Sequence, residues 1–316
     1  MAGSELTLPI CAVVATALWW LPKGTFSVRS FLGLVLCMLT TYVIMETNAR
    51  QHIIRIRTRM MSCVWLVLSA CLSFMHPLEE PLIAAAFLCG SYMLLFQCYQ
   101  RYRPQLTVFH VFLLLSIGSF FAPVMLLMAI PFYFYLIVFL RSLTTKAFWA
   151  GILGLVVPYW CYAILSILLF HTFTFSQFAS HIISQFDFFT VPQFDHFTVH
   201  LADYSFVKLS SCAFIALLSI VSIIHYLRTK YDDKIRVRMI LYIYVTQTLL
   251  LMLFLLLQPA HYQTTMALII ASASPLIAHF FALTGSILSN LFFILSLLLT
   301  VAMAVLNLWM TSFSIS

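Results

Sequence analysis

Apolar runs alternate with short polar breaks along the whole chain, from Leu6 to Met310. Breaking the chain at charges, prolines and glycines predicts eleven helical segments: Leu6 to Leu21, Ser30 to Met45, Met60 to Met75, Leu82 to Cys98, Leu106 to Phe120, Val124 to Leu140, Ala147 to His171, Val207 to Tyr226, Met239 to Leu257, Met266 to Leu283 and Ile287 to Met310. A membrane-spanning helix takes about 20 apolar residues, and local thinning of the bilayer tolerates shorter ones. The pattern predicts an all-α, polytopic transmembrane helical bundle of 10–11 spans in one integral membrane domain, residues 1–316.

Two boundaries are ambiguous. Leu106 to Leu140 reads either as one long kinked span or as two short ones hinged at Pro123. Arg101 and Arg103 precede it and Arg141 and Lys146 follow, so the positive-inside rule asks for two crossings or a re-entrant hairpin. Met266 to Met310 has the same ambiguity at Thr284 to Ser286, where no flanking charge decides the side of the C-terminus.

Composition strengthens this picture: 63% of residues are hydrophobic, 8% are charged and the mean hydropathy is +1.05. So little polar surface cannot cover a water-soluble domain of 316 residues. The start MAGSELTLPI lacks a basic stretch and a small-residue cleavage site, so the first segment is expected to be a retained helix. The net charge of +7 does not point to nucleic acid, because the cations sit at helix ends and read as topology determinants.

With a cytoplasmic N-terminus, Arg50, Arg55, Arg57, Arg59, Arg101, Arg103, Arg141, Lys146, Arg228, Lys230, Lys234, Arg236 and Arg238 all face inward. Lys23, Arg29 and Lys208 face out, with Glu79, Glu80, Asp187, Asp195 and Asp203. Trp19, Trp20 and Trp309 are then expected in the outer aromatic belt and Trp149 in the inner one. The connection at residues 172–206, rich in phenylalanine and free of lysine and arginine, is predicted to be an outer-face aromatic segment lying in the membrane interface.

That outer segment carries the first candidate chemistry. Asp187, Asp195 and Asp203 are candidate general bases toward a lipid-linked substrate, and His196 and His200 share one helical face beside them. A His-x-x-x-His pair without the adjacent glutamate of a zinc hydrolase does not define a metal site, and none is assigned. Arg50, Arg55, Arg57 and Arg59 are candidate contacts for an anionic headgroup or a phosphate, set against simple orientation by positive charge. Lys230 to Arg238, interrupted by Asp232 and Asp233, reads as a solvated mixed-charge turn. Inside the apolar segments His110, His279, Gln247, Asn290 and Asn307 are out of place, yet none has a charged partner at helical spacing. The amides read as helix-to-helix hydrogen-bonding groups. The eight cysteines lie within or at the ends of apolar runs, with no C-x-x-C pair, and read as packed thiols. No Walker loop, GxGxxG, HExxH or nucleophile elbow is present, so no cofactor is implied.

The stretches GSYMLLFQCYQRYRP, YLIVFLRSLTTKAFWAGILGLVVPYW and LLLQPAHYQTTMALIIASASPLIAHFF resemble the uncharacterised integral membrane proteins of Bacteroidetes grouped as domain-of-unknown-function family 6427. The resemblance covers most of the chain from about Pro81 and implies a multi-pass protein of a Gram-negative inner (cytoplasmic) membrane, with no functional residues to carry over. A more distant likeness is to multi-span polyprenyl-phosphate-dependent glycosyltransferases, which generally carry an acidic motif in the first outer loop. Here that loop, LPKGTFSVRS, has no carboxylate. Two function classes follow. One handles a lipid-linked sugar or other envelope component at the outer leaflet; the other is a non-catalytic assembly or transport subunit of an envelope complex, in contact with membrane lipids.

Overall fold

The structure is a computed structural model and describes residues 6–20, 27–56, 58–170, 206–285 and 287–313. Each of the eleven apolar runs is helical: α1 Thr7–Trp20, α2 Val28–Gln51, α3 Met60–Ala70, α4 Glu80–Leu95, α5 Gln105–Ser119, the split pair α6 Val124–Leu127 and α7 Ala129–Val138, α8 Thr145–Phe170, α9 Phe206–Thr229, α10 Ile235–Leu257, α11 Tyr262–Leu283 and α12 Ile287–Phe313. No strand occurs among the described residues. Seven helices, α2, α4 and α8 to α12, are long and apolar enough to cross a membrane, as a multi-pass protein requires. The other four segments are shorter, at 10–17 residues. The ambiguous last stretch breaks at Thr284, giving two helices.

The chain forms two compact units, Met1–Cys89 with Ala202–Ser316, and Gly90–Leu201. In the first, α11 is the central helix, packed against α3, α9 and α10. It is buried nearly all round, including Ser272, Ser274 and His279. The serines donate to the carbonyls of Leu268 and Ile270 one turn back, which lets them sit among apolar neighbours. Pro275 is tolerated inside this helix because surrounding helices shield the freed backbone groups.

Contacts at the helix ends show that the elements of this unit run alternately up and down. At one end the Tyr262 hydroxyl donates to the Lys208 carbonyl, the Leu78 amide to the Arg29 carbonyl and Trp19 Nε1 to the Ser30 carbonyl. A Cβ at Gly33 would collide with the His76 carbonyl, so glycine permits this close approach of α2 to the α3–α4 connection. Trp19 is only 1% exposed and stacks on His76 at 4.4 Å. It stands at the end of α1, as expected, and there it is a packed residue tying α1 to that connection. The belt rule locates an indole along the membrane normal but does not say whether lipid or protein lies beside it.

The second unit is built on α5 and α8, which pack along their length. Gly151 and Gly154 make that approach possible, since a Cβ at Gly154 would strike the Phe109 carbonyl of α5. The Gln100 amide donates to the Leu140 carbonyl at 3.0 Å, which brings the start of α5 and the end of α7 together. The stretch from 105 to 140 is thus a helical hairpin turning at Pro123, with its two ends together as the flanking cations asked. Among the described residues of this unit, the cations are Arg101, Arg103, Arg141 and Lys146, which flank this hairpin in the sequence.

Candidate functional site

The other end of the first unit collects its charge. The C-terminus of α2, the loop that follows, the α9–α10 turn and the C-terminus of α11 meet there. Arg50, Arg55, Arg59, Arg228, Lys230, Lys234, Arg236 and Arg238 belong to these segments, against Glu46, Asp232 and Asp233. The opposite end of the unit balances Arg29 and Lys208 with Glu79 and Glu80. The asymmetry expected from sequence is therefore built into one bundle.

Local structure sets the loop between α2 and α3. His52 closes α2 in the left-handed region, at φ 51°, and its amide donates to the Asn48 carbonyl. Asn48 then bridges the loop: its Nδ2 donates to the Thr58 carbonyl and its Oδ1 accepts from the Ile54 amide. With Ile53 and Ile54 buried, Arg55 is directed across to the α9–α10 turn.

There it meets a buried carboxylate. Arg55 Nε lies 2.7 Å from Asp233 Oδ1, and a terminal guanidinium nitrogen lies 3.7 Å from Asp232 Oδ2. The second oxygen of Asp233 accepts from His279 Nε2 at 3.2 Å, with both side chains fully buried. Burial pushes the Asp233 carboxyl up, but the hydrogen bonds and charges of His279 and Arg55 outweigh it, and the group titrates below its ordinary value of 3.8. An ionised carboxylate only accepts, so the His279 proton in this contact is on Nε2. Nδ1 of the same ring is buried without a partner, and Tyr226 meets the ring edge-on at 5.8 Å.

This junction corrects the expectation of a solvated turn at Asp232 and Asp233. Asp232 is exposed, but Asp233 is sealed inside the protein. His279 does have a charged partner, 46 residues away instead of one helical turn. The signal for it was the alternating topology, which places the end of α11 and the α9–α10 turn on one face. His110 is different: it is exposed, with Nδ1 against the Leu106 carbonyl of its own helix. Asn307 likewise donates to Met303 in its own helix instead of bridging helices through that bond.

Of the expected headgroup contacts, Arg50 is paired with Glu46 at 2.6 Å and Arg55 with Asp233, while Arg59 is exposed. Arg57 lies outside the described residues, as do Asp187, Asp195, Asp203, His196 and His200 and the whole 172–205 stretch. Among the described residues no three of His, Cys, Asp and Glu come together as a metal would need. All eight cysteines are free thiols.

Next to the basic end, α1, α3, α9, α11 and α12 enclose a cavity of about 180 Å³. Its walls include Cys11, Val64, Leu218, Phe281, Phe293 and Leu297. The polar residues in its wall on α12 are turned inward to their helix, Ser296 donating to the Phe293 carbonyl and Thr300 to the Ser296 carbonyl. Leu297 is 53% exposed, so the cavity reaches the outer surface of the bundle. Comparison with protein-family models, curated proteins and solved structures finds no match.

Proposed function

We propose that the chain is a multi-pass inner-membrane protein of ten or eleven crossings that handles a lipid-linked envelope substrate. The observation that carries this reading is the apolar cavity. Apolar cavities of about 150 Å³ stay dry and take up a six-carbon ring, so this one suits a short run of a hydrocarbon chain and offers little to a polar solute. Its exposed edge at Leu297 would face lipid, and Met60 in its wall follows Arg59 of the basic end. An apolar slot beside cations has the polarity of a lipid with an anionic head. In the enzymatic form of this reading Asp187, Asp195 and Asp203 supply the acid and base groups at the outer leaflet, the end opposite the cations. The substrate acted on there is therefore distinct from a lipid whose head rests on the basic end.

A photoactivatable polyprenyl-phosphate probe in proteoliposomes tests the reading. Labelling should concentrate on α3 and α12, and Val67→Trp, which fills the cavity, should abolish it. Labelling spread evenly over all lipid-facing helices would remove the basis for the proposal.

A second reading, a non-catalytic subunit of an envelope complex, is favoured by α8. Trp160 stands near the middle of that helix and is 65% exposed. Indoles on lipid-facing surfaces gather at the two interfaces, so an outward tryptophan at mid-helix fits a protein neighbour better than acyl chains. Trp160→Ala should release a co-purifying protein on this reading and leave probe labelling intact on the first.

A further inference from the structure

The carboxylates of the basic end are all engaged, Glu46 with Arg50, and Asp232 and Asp233 with Arg55. Arg236 donates to Gln51 Oε1. Lys230 and Arg238 are left with no carboxylate in reach among the described residues, and the fold gathers them on one ring. Lys230 Nζ lies 5.3 Å and Arg238 Cζ 5.9 Å from the centre of Tyr231, and Lys230 also lies 5.6 Å from the centre of Tyr242. The Arg238 backbone is fixed by the Tyr226 hydroxyl, which donates to its carbonyl at 3.0 Å. Arg238 Nε is shielded from solvent and has no acceptor.

Their position adds to the imbalance. The first turn of α10 has no acidic residue, and Lys234, Arg236 and Arg238 gather at this end, where the helix already carries partial positive charge. Cation–π attraction to Tyr231 holds two mutually repelling charges together, and a shared anion would relieve the repulsion. Tyr231 is 75% exposed, so that anion can arrive from outside the protein.

We propose that Lys230 and Arg238, seated on Tyr231, form a phosphate-binding site that takes the headgroup phosphate of an anionic lipid. The inference rests on the lipid-handling reading above and supplies its polar half. Arg is suited to a phosphate through paired N–H donors and Lys as a point charge, and the terminal nitrogens of Arg238 are the ones that would meet it.

The test uses the full-length chain in phosphatidylcholine nanodiscs, with Lys230 followed by an amine-reactive reagent. Added phosphatidylglycerol should protect Lys230, and phosphatidylcholine should not. Lys230→Gln with Arg238→Gln should weaken phosphatidylglycerol binding, read by native mass spectrometry, by about ten-fold or more, and rising salt should weaken it in the wild type. Inorganic phosphate that protects Lys230 at micromolar concentration would assign the same site to a soluble phosphate. Unprotected Lys230 in the unaltered protein, or undiminished phosphatidylglycerol binding in the double variant, would overturn the site. Cavity labelling separates the two ideas: its absence in the wild type sinks the lipid reading, while its persistence in the double variant leaves only the phosphate site under test.

Discussion

At the scale of single residues the decisive group is Asp233, a carboxylate sealed from water by partners from two other segments. Removing one member of a buried pair costs more than the pair contributes, because the remaining groups stay desolvated. Arg55 is 42% exposed and recovers water, whereas His279 does not. Asp233→Ala should therefore destabilise the protein by about 2–3 kcal/mol, discounted from the fully buried case for solvent screening of Arg55. Asp233→Asn keeps an acceptor for His279 and should cost less. The pH dependence has a definite sign: a carboxyl whose folded value lies below its ordinary 3.8 contributes stability that is complete above about pH 5 and fades as pH falls through the folded value. Thermal unfolding in detergent between pH 3 and 7 should show wild type and Asp233→Asn diverging at neutral pH and converging in acid; a constant gap would show that the carboxylate charge is not what stabilises the junction. His279 was visible in the sequence as a polar residue out of place, but its partner was not. Spacing finds partners on one helix, and this pair joins two elements through the fold.

Elements were more legible than pairs, and for a physical reason. An apolar run must satisfy its backbone internally when it leaves water, so helicity follows from composition alone, and each of the eleven runs became a helix. How two helices approach depends on small residues, which composition treats as interchangeable. Gly154 and Gly90 make the contrast. A Cβ at Gly154 meets the Phe109 carbonyl and lies 3.1 Å from the Leu113 nitrogen, both backbone atoms that cannot rotate away. A Cβ at Gly90 meets only the tip of Leu114, at 3.4 Å. Gly154→Ala should thus destabilise the α5–α8 pair by about 1–3 kcal/mol through overpacking. Gly90→Ala should be neutral or slightly stabilising, since alanine is the better helix former. Denaturation of the two variants side by side checks this, and equal losses would mean that α5 and α8 do not rely on that contact.

For the molecule as a whole, the sorted charge of the first unit predicts which of its ends faces the cytoplasm. In the first unit the described cations concentrate where α2, α9 and α11 end, while Glu79 and Glu80 stand at the opposite end. Cytoplasmic loops retain lysine and arginine during insertion, so the end holding Asp233, Lys230 and Arg238 is expected inside and the α3–α4 connection outside. Once the cations and the Arg55–Asp233–His279 junction are assembled, reversing the bundle would require carrying eight positive side chains across the hydrocarbon layer, which makes the orientation set at insertion a lasting one. In a chain whose eight native cysteines are replaced by alanine, Glu79→Cys should react with a membrane-impermeant maleimide added to intact spheroplasts. Lys234→Cys should react only after the membrane is opened. Both positions are exposed in the structure, so silence at either reports the membrane and not burial. The reverse pattern would turn the bundle over, place the phosphate site on the outer leaflet and sink the outer-leaflet reading built on Asp187, Asp195 and Asp203, because their segment joins α9 at Phe206, the end opposite Lys230 and Arg238.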